Sequence, residues 1–232
     1  MIKENIVDIQ IINNRLIEIK EVSFDIKAIE DNISKIKYKG QGLIKDKFVE
    51  NAQLPSIAKV FYESIFMRKI LTPETLFKEY LFKNFINTDN DTYKLKGTEK
   101  TYSGQGIKAR VYRAFPSLLR DFHFYVLCFN SKIFENIKYS FITDTQDGID
   151  IMVTYKGENF GISLFVDTAR SMQFKKKKYK RHDYSCLKEI CIGINPFDKS
   201  TYMGDFALYN KTHIEYLINE IEKQLSDNVV NL

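Results

Sequence analysis

Between positions 147 and 171 the chain reads DGIDIMVTYKGENFGISLFVDTARS. Side chains on a strand alternate between faces. A turn at Gly157 and Glu158, with glycine first, pairs Tyr155 with Phe160, Val153 with Ile162, Ile151 with Leu164 and Ile149 with Val166. All eight are apolar and share one face, which must be buried against another layer. A one-residue slip would bury the polar face instead, so the pattern resists it. That other face carries Asp150, Met152, Thr154, Gly161, Ser163, Phe165, Asp167 and Ala169. In this register Asp150 faces Phe165 and Asp167 is its diagonal neighbour. Diagonal neighbours lie roughly 7–8 Å apart, within reach of one shared ion.

The stretch that follows, SMQFKKKKYKRHDY, is the most basic in the chain. Seven Lys or Arg fall between Arg170 and Arg181, whereas the whole 232-residue protein carries a net charge of only +5. Concentrated positive charge favours polyanions such as nucleic acid. A basic run is also a common solvated helix face. The two aspartates repel each other and call for a cation unless solvated. A divalent ion beside a basic helix suits phosphodiester hydrolysis, with the basic residues holding the backbone.

The remaining segments set the frame. Residues 1–22 fit a strand or a helix. Residues 23–36 read as a helix with Ser23 as N-cap, and 54–71 as a second. Residues 72–86 read as a third, with Thr72 as cap, Pro73 at the first position and Glu74 in the first turn. Its capping box is incomplete, because Thr75 stands where Glu or Gln is expected. The polar stretch 87–106 is a loop or short hairpin and the expected boundary. YKGQG at 38–42 and YSGQG at 102–106 echo each other. Such glycines cradle phosphate at a helix start or serve as plain turns, and neither matches a Walker loop or a dinucleotide fingerprint. Residues 107–134 are helical, kinked or restarted at Pro116. Strands are expected at 137–143, in the hairpin, at 188–194 and at 205–210, with helices over the basic run and at 213–225.

Other chemistries are set aside. Cys128, Cys186 and Cys191 imply no disulfide framework. His182, Cys186 and Cys191 lack zinc-ligand spacing and a fourth ligand. His123 and His213 lie in apolar segments, and no nucleophile elbow is present. Hydrophobic residues at 44% and charged residues at 28% describe a globular protein. No window has the apolar length of a membrane span, and no signal-peptide block opens the chain. The expected location is cytoplasmic.

Over residues 107–220, about half the chain, the pattern resembles the PD-(D/E)XK nuclease superfamily. Its core runs helix, strand, a strand opening on a metal-binding Asp, a strand ending in (Asp/Glu)-x-Lys, helix, strand. Asp150 matches the first acid. Asp167-Thr168-Ala169 stands where (Asp/Glu)-x-Lys belongs, and Asp121 matches an acid that some members carry on the preceding helix. Ala169 departs from the family's lysine. Arg170 or a lysine from Lys175 to Lys178 can substitute, or the site is inactive.

The resemblance implies an α/β (α+β) fold with a central mixed sheet flanked by helices. The expected division is a helical region at 1–100, for recognition or dimerisation, and a nuclease-like core at 101–232. It implies a Mg²⁺-dependent endodeoxyribonuclease, with Asp150, Asp167, Arg170, Lys175 and Asp121 catalytic and Asp150 and Asp167 holding Mg²⁺ or Mn²⁺. Lys175, Lys176, Lys177, Lys178, Lys180 and Arg181 would hold nucleic acid, DNA ahead of RNA, with no membrane partner and a homodimer as an option. The alternative is a catalytically silent nucleic-acid-binding module. A third class is a structural protein that docks its basic helix on an acidic partner.

Overall fold

The computed structural model describes residues 5–8, 20, 21, 24–67, 71–169, 171 and 188–230. The fold is mixed α/β and divides into two compact units, residues 35–119 and residues 1–34 with 120–232. This differs from the expected boundary near residue 100. The N-terminal segment belongs with the later part of the chain because β1 (Asn5–Asp8) pairs in parallel with β6 (Asn136–Ser140).

In the unit formed by residues 35–119, α2 (Lys47–Asn51), α3 (Ile57–Phe66) and α4 (Pro73–Asn84) precede a three-stranded antiparallel sheet. Its strands are β3 (Phe85–Asp89), β4 (Thr92–Leu95) and β5 (Thr101–Ser103). Of the two alternatives for the polar stretch, the hairpin is the one formed, extended by a third strand. It holds together through Phe85, whose ring meets Tyr80 at 5.7 Å and Tyr102 at 6.3 Å. At the start of α4 the capping box is complete after all. Thr75 Oγ1 accepts from Thr72 N–H at 2.8 Å, and Thr72 Oγ1 accepts from Thr75 N–H at 3.1 Å. A threonine hydroxyl accepts the bond expected of a Glu carboxylate.

The longest helix, α5 (Gly104–Ser131), runs through Pro116 without restarting. Proline lacks an N–H and so frees the carbonyl four residues earlier. That carbonyl belongs to Tyr112, and the Tyr38 hydroxyl donates to it at 2.9 Å. The restart that sequence allowed does not occur, and a side chain 74 residues distant fills the gap.

In the unit formed by residues 1–34 and 120–232, the described strands form a six-stranded sheet in the order β2-β1-β6-β7-β8-β9. Here β2 is Lys20–Glu21, β7 Ile151–Tyr155, β8 Glu158–Val166 and β9 Lys188–Ile194. Strands β6, β7 and β8 form an antiparallel meander, and β9 returns parallel to β8. Helix α1 (Ile26–Lys35) and the later half of α5 belong to this unit, as does α6 (Lys211–Val230). Phe122 on α5 meets Phe24 at 5.0 Å and Tyr139 of β6 at 6.1 Å. Expected strand 205–210 contributes only β11 (Phe206–Ala207), which pairs with β10 (Tyr202–Met203) outside the main sheet.

Of the eight residues expected on the buried face, Ile149, Ile151, Val153, Phe160 and Ile162 are at 2% exposure or less, whereas Tyr155, Leu164 and Val166 are half-buried. The hairpin's register differs by two. Val153 pairs with Phe160 and Ile151 with Ile162, and the turn residues are Lys156 and Gly157. Both have positive φ, 52° and 78°, the requirement of a type I′ turn, whose twist matches that of the strands. A shift of two leaves every side chain on its original face, so the alternation could not report it.

Candidate functional site

The shifted register changes what surrounds Asp150. The β7–β8 ladder ends at Ile151 opposite Ile162. Asp150 closes it: its N–H donates to Ile162 O at 3.0 Å, and its Oδ2 accepts from Leu164 N–H at 2.6 Å. The carboxylate thus lies level with Leu164. Asp167 is three residues farther along, about 10 Å of strand. The diagonal pairing of Asp150 with Asp167 is therefore corrected.

Asp167 is exposed, and its N–H donates to Ile194 O at 2.8 Å. Strand β8 stops at Val166, and a helical turn begins at Ala169. Thr168 caps that turn, accepting on Oγ1 from Ser171 N–H at 3.2 Å. Asp167 and Ala169 therefore do not share a strand face. Arg170, Lys175, Lys176, Lys177, Lys178, Lys180 and Arg181 lie outside the described residues, as do His182 and Cys186.

A different group lies at this end of the sheet. Tyr209, between β11 and α6, is 1% exposed. Its hydroxyl is 3.1 Å from Phe165 O and 3.2 Å from Ile192 O, tying β8 to β9. The ring packs on Phe124 at 4.8 Å and His213 at 5.1 Å. Burial pushes its phenol pKa well above the usual value; the charges of Asp121 and Asp150 raise it further, and Arg120 opposes them. Asp121 on α5 and Asp150 at the head of β7 are thus both within electrostatic range of one buried hydroxyl. Arg120 is buried, with its Nε donating to Ala207 O at 3.0 Å.

Sequence reasoning missed Tyr209, Arg120 and Glu189. Arg120 shares an i, i+4, i+8 stripe with Phe124 and Cys128, both fully buried, and that spacing was the available signal. Glu189 follows from the parallel register, in which it lies beside Gly161 and puts its Oε1 2.5 Å from Ser163 Oγ. Ser163 is 5% exposed, so this is a sheltered polar contact on the face opposite Ile190, Ile192 and Ile194. Next to it, Gly193 leaves room for the Phe165 ring, which a Cβ would meet at 2.8 Å.

The glycines of YSGQG open α5, but the chain's own groups accept from their N–H donors. Asp91 accepts from Gly104 N–H through its backbone oxygen and from Gln105 N–H through Oδ2, and Ser103 Oγ accepts from Gly106 N–H. The first echo, Gly40–Gly42, is a 3₁₀ turn.

His123 and His213 are packed groups. His123 is 2% exposed, with Nε2 3.2 Å from a Glu30 carboxylate oxygen and Nδ1 buried without a hydrogen-bond partner among the described residues. Burial lowers its pKa, against an opposing pull from Glu30. Burial likewise lowers that of His213, against Asp198 and the Asn210 backbone. Folding therefore releases protons once the pH falls below the ordinary histidine value of about 6.5. Stability is full above that value and is lost as pH falls through the depressed folded pKa values. Melting temperature should be flat from pH 8 to 7 and fall as the pH drops below about 6.5. His123→Gln should flatten that segment, and an unchanged slope would contradict the assignment.

No family model matches this chain, and no curated protein or solved structure matches it. No described helix is long and apolar enough to cross a membrane. Among the described residues no group of three or more His, Cys, Asp or Glu side chains is arranged to hold a metal ion.

Proposed function

We propose that the chain is a metal-dependent endonuclease on a restriction-endonuclease-like core, hydrolysing phosphodiester bonds in DNA ahead of RNA. The reading draws on the order of elements: α5, the antiparallel meander β6–β7–β8, a crossover of residues 167–187, and β9 parallel to β8. What supports it is that acids on two separate elements, Asp121 on α5 and Asp150 at the head of β7, both act by their charge on the buried Tyr209 phenol and raise its pKa. Two carboxylates without a third protein ligand suit Mg²⁺, which keeps waters in its shell and binds through one or two carboxylates plus substrate phosphate. Asp121 and Asp150 would hold it, in place of the pair Asp150 and Asp167. A divalent ion there supplies Lewis-acid activation of water and offsets charge developing on the phosphate. Tyr209 holds β8 to β9 and so keeps the site's floor rigid. The lysines of the basic run would contact the backbone, setting register without reading bases.

A second reading, binding without cleavage, has two observations in its favour. Asp150 Oδ2 already accepts a backbone N–H, and Ala169 replaces the family's lysine. The test is cleavage of single- and double-stranded DNA and RNA with Mg²⁺ or Mn²⁺. Cleavage by the parent, lost in Asp121→Asn, supports the nuclease. Salt-sensitive binding with no cleavage of any substrate supports the silent module. Ala169→Lys should raise cleavage little, because residue 169 lies on a helical turn. A gain of about 10²-fold or more, the scale of a positioned acid–base group, would overturn that placement.

A further inference from the structure

We propose that β3 is a dimerisation edge, along which a second copy of this chain adds its own β3 antiparallel, about a two-fold axis at Asn87. The inference does not depend on the nuclease reading. Strand β3 stands at the end of the three-stranded sheet, and among the described residues no strand pairs with its outer side. Its residues Ile86, Asn87, Thr88 and Asp89 are all exposed. In an antiparallel ladder every second residue turns its N–H and C=O away from the partner strand. Lys96 N–H donates to Asn84 O at 3.0 Å, and Leu95 N–H donates to Lys100 O at 2.9 Å on the β5 side. Asn84 and Ile86 therefore turn their backbone groups towards β4, and Phe85 and Asn87 turn theirs outward. Leu81 O accepts from the Phe85 N–H at the end of α4. The N–H and C=O of Asn87 both remain, with no hydrogen bond to the described residues. An open edge of this kind is a template for another strand.

A second copy suits this edge because the edge is complementary to itself. Two β3 strands set antiparallel about Asn87 exchange both bonds, N–H to C=O each way, between the two copies of one residue. That is the isologous contact of a two-fold dimer. The pairing sets Phe85 of one copy opposite Asp89 of the other, and Ile86 opposite Thr88. Two apolar side chains beside the edge stand in solvent: Phe82 in the last turn of α4, 78% exposed, and Ile86, 52% exposed. A second copy gives them cover. The charges match as well. Lys96 lies at the Phe85 end, where its Nζ donates to Phe82 O at 2.7 Å and Lys83 O at 3.0 Å. Asp89 lies at the other end, and its Oδ1 accepts from Asn90 N–H at 2.7 Å. Neither forms an ion pair among the described residues. Antiparallel pairing brings the Lys96 end of each copy alongside the Asp89 end of the other, whereas parallel pairing would set like ends together. Opposite charges placed this way fix register and orientation.

Analytical ultracentrifugation of the full chain, over a concentration series through the micromolar range, reads the assembly. The parent should pass from monomer to dimer. Asn87→Pro removes the central N–H yet suits an outward position on an edge strand, so the variant should stay folded and monomeric. Ile86→Lys should raise the dimer dissociation constant about 10-fold or more, the scale of losing one buried aliphatic side chain. Hydrogen–deuterium exchange locates the contact: the Asn87 amide should slow as the dimer forms. A parent that stays monomeric throughout overturns the proposal, as does a folded Asn87→Pro that dimerises like the parent. So does a dimer in which the Asn87 amide exchanges as fast as in the monomer, since another face then holds the copies. Should Asn87→Pro fail to fold by circular dichroism, parental dimerisation by Ile86→Lys overturns the proposal instead.

Discussion

On the proposed nuclease reading, Asp150→Asn should lose Mg²⁺-dependent cleavage by at least about 10²-fold, the scale of removing one electrostatic group from a transition-state site, while keeping the fold. The reason lies in the two roles of this side chain. Its Oδ2 accepts from Leu164 N–H at 2.6 Å, and its charge acts on Tyr209 beside that of Asp121. Asparagine keeps an oxygen for Leu164 and removes the charge, so melting temperature should move by a few degrees at most. Asp150→Ala removes both. It leaves the Leu164 N–H without its acceptor, at a cost of about 1–3 kcal/mol. Comparing the two separates chemistry from architecture. If Asp150→Asn cleaves at the parental rate and melts with the parent, the residue only closes the ladder and the metal assignment fails.

Phe122→Ala should cost about 3–5 kcal/mol, the range for emptying a buried aromatic site. Phe122 is 1% exposed and meets three rings, Phe24 edge-on at 5.0 Å, Tyr139 at 6.1 Å and Tyr125 at 6.3 Å. Those rings come from the start of the chain, from β6 and from α5, so no single element can shift to fill the void. Small domains are stable by about 5–15 kcal/mol in all, so the loss is a large share. Urea unfolding is the measurement: the midpoint should drop with the slope unchanged. A loss under about 1 kcal/mol would mean that the cluster collapses around the gap. Because Phe122 follows Arg120 and Asp121 on α5, its removal should also weaken the site.

Features carried by local pattern were legible in the sequence. The hairpin's buried face followed from alternation alone, because a strand that buries one face must alternate. The cap at Thr72, the proline at the first position of α4 and strand β9 followed from rules spanning a few residues. What failed was decided by partners far away in the chain. Pro116 looked like a break, yet α5 runs through it, with the Tyr38 hydroxyl on the freed carbonyl. The hairpin register moved by two because alternation is blind to even shifts, and Lys156 with Gly157 gave the better-twisted turn.

The site divides in the same way. Asp150 and Asp121 were readable as acids at the head of a strand and on a helix. That both charges act on Tyr209 was not, since it depends on a residue 59 positions beyond Asp150 whose hydroxyl reaches Phe165 O of β8 and Ile192 O of β9. Asp167 appeared to belong with Asp150 only while the register was free to choose. Arg120 was not singled out in the sequence, because the carbonyl that its Nε reaches, that of Ala207, lies 87 positions away. Local periodicity sets which face each side chain occupies; the neighbour it finds there is set by long-range closure of the chain, which no short window of sequence contains.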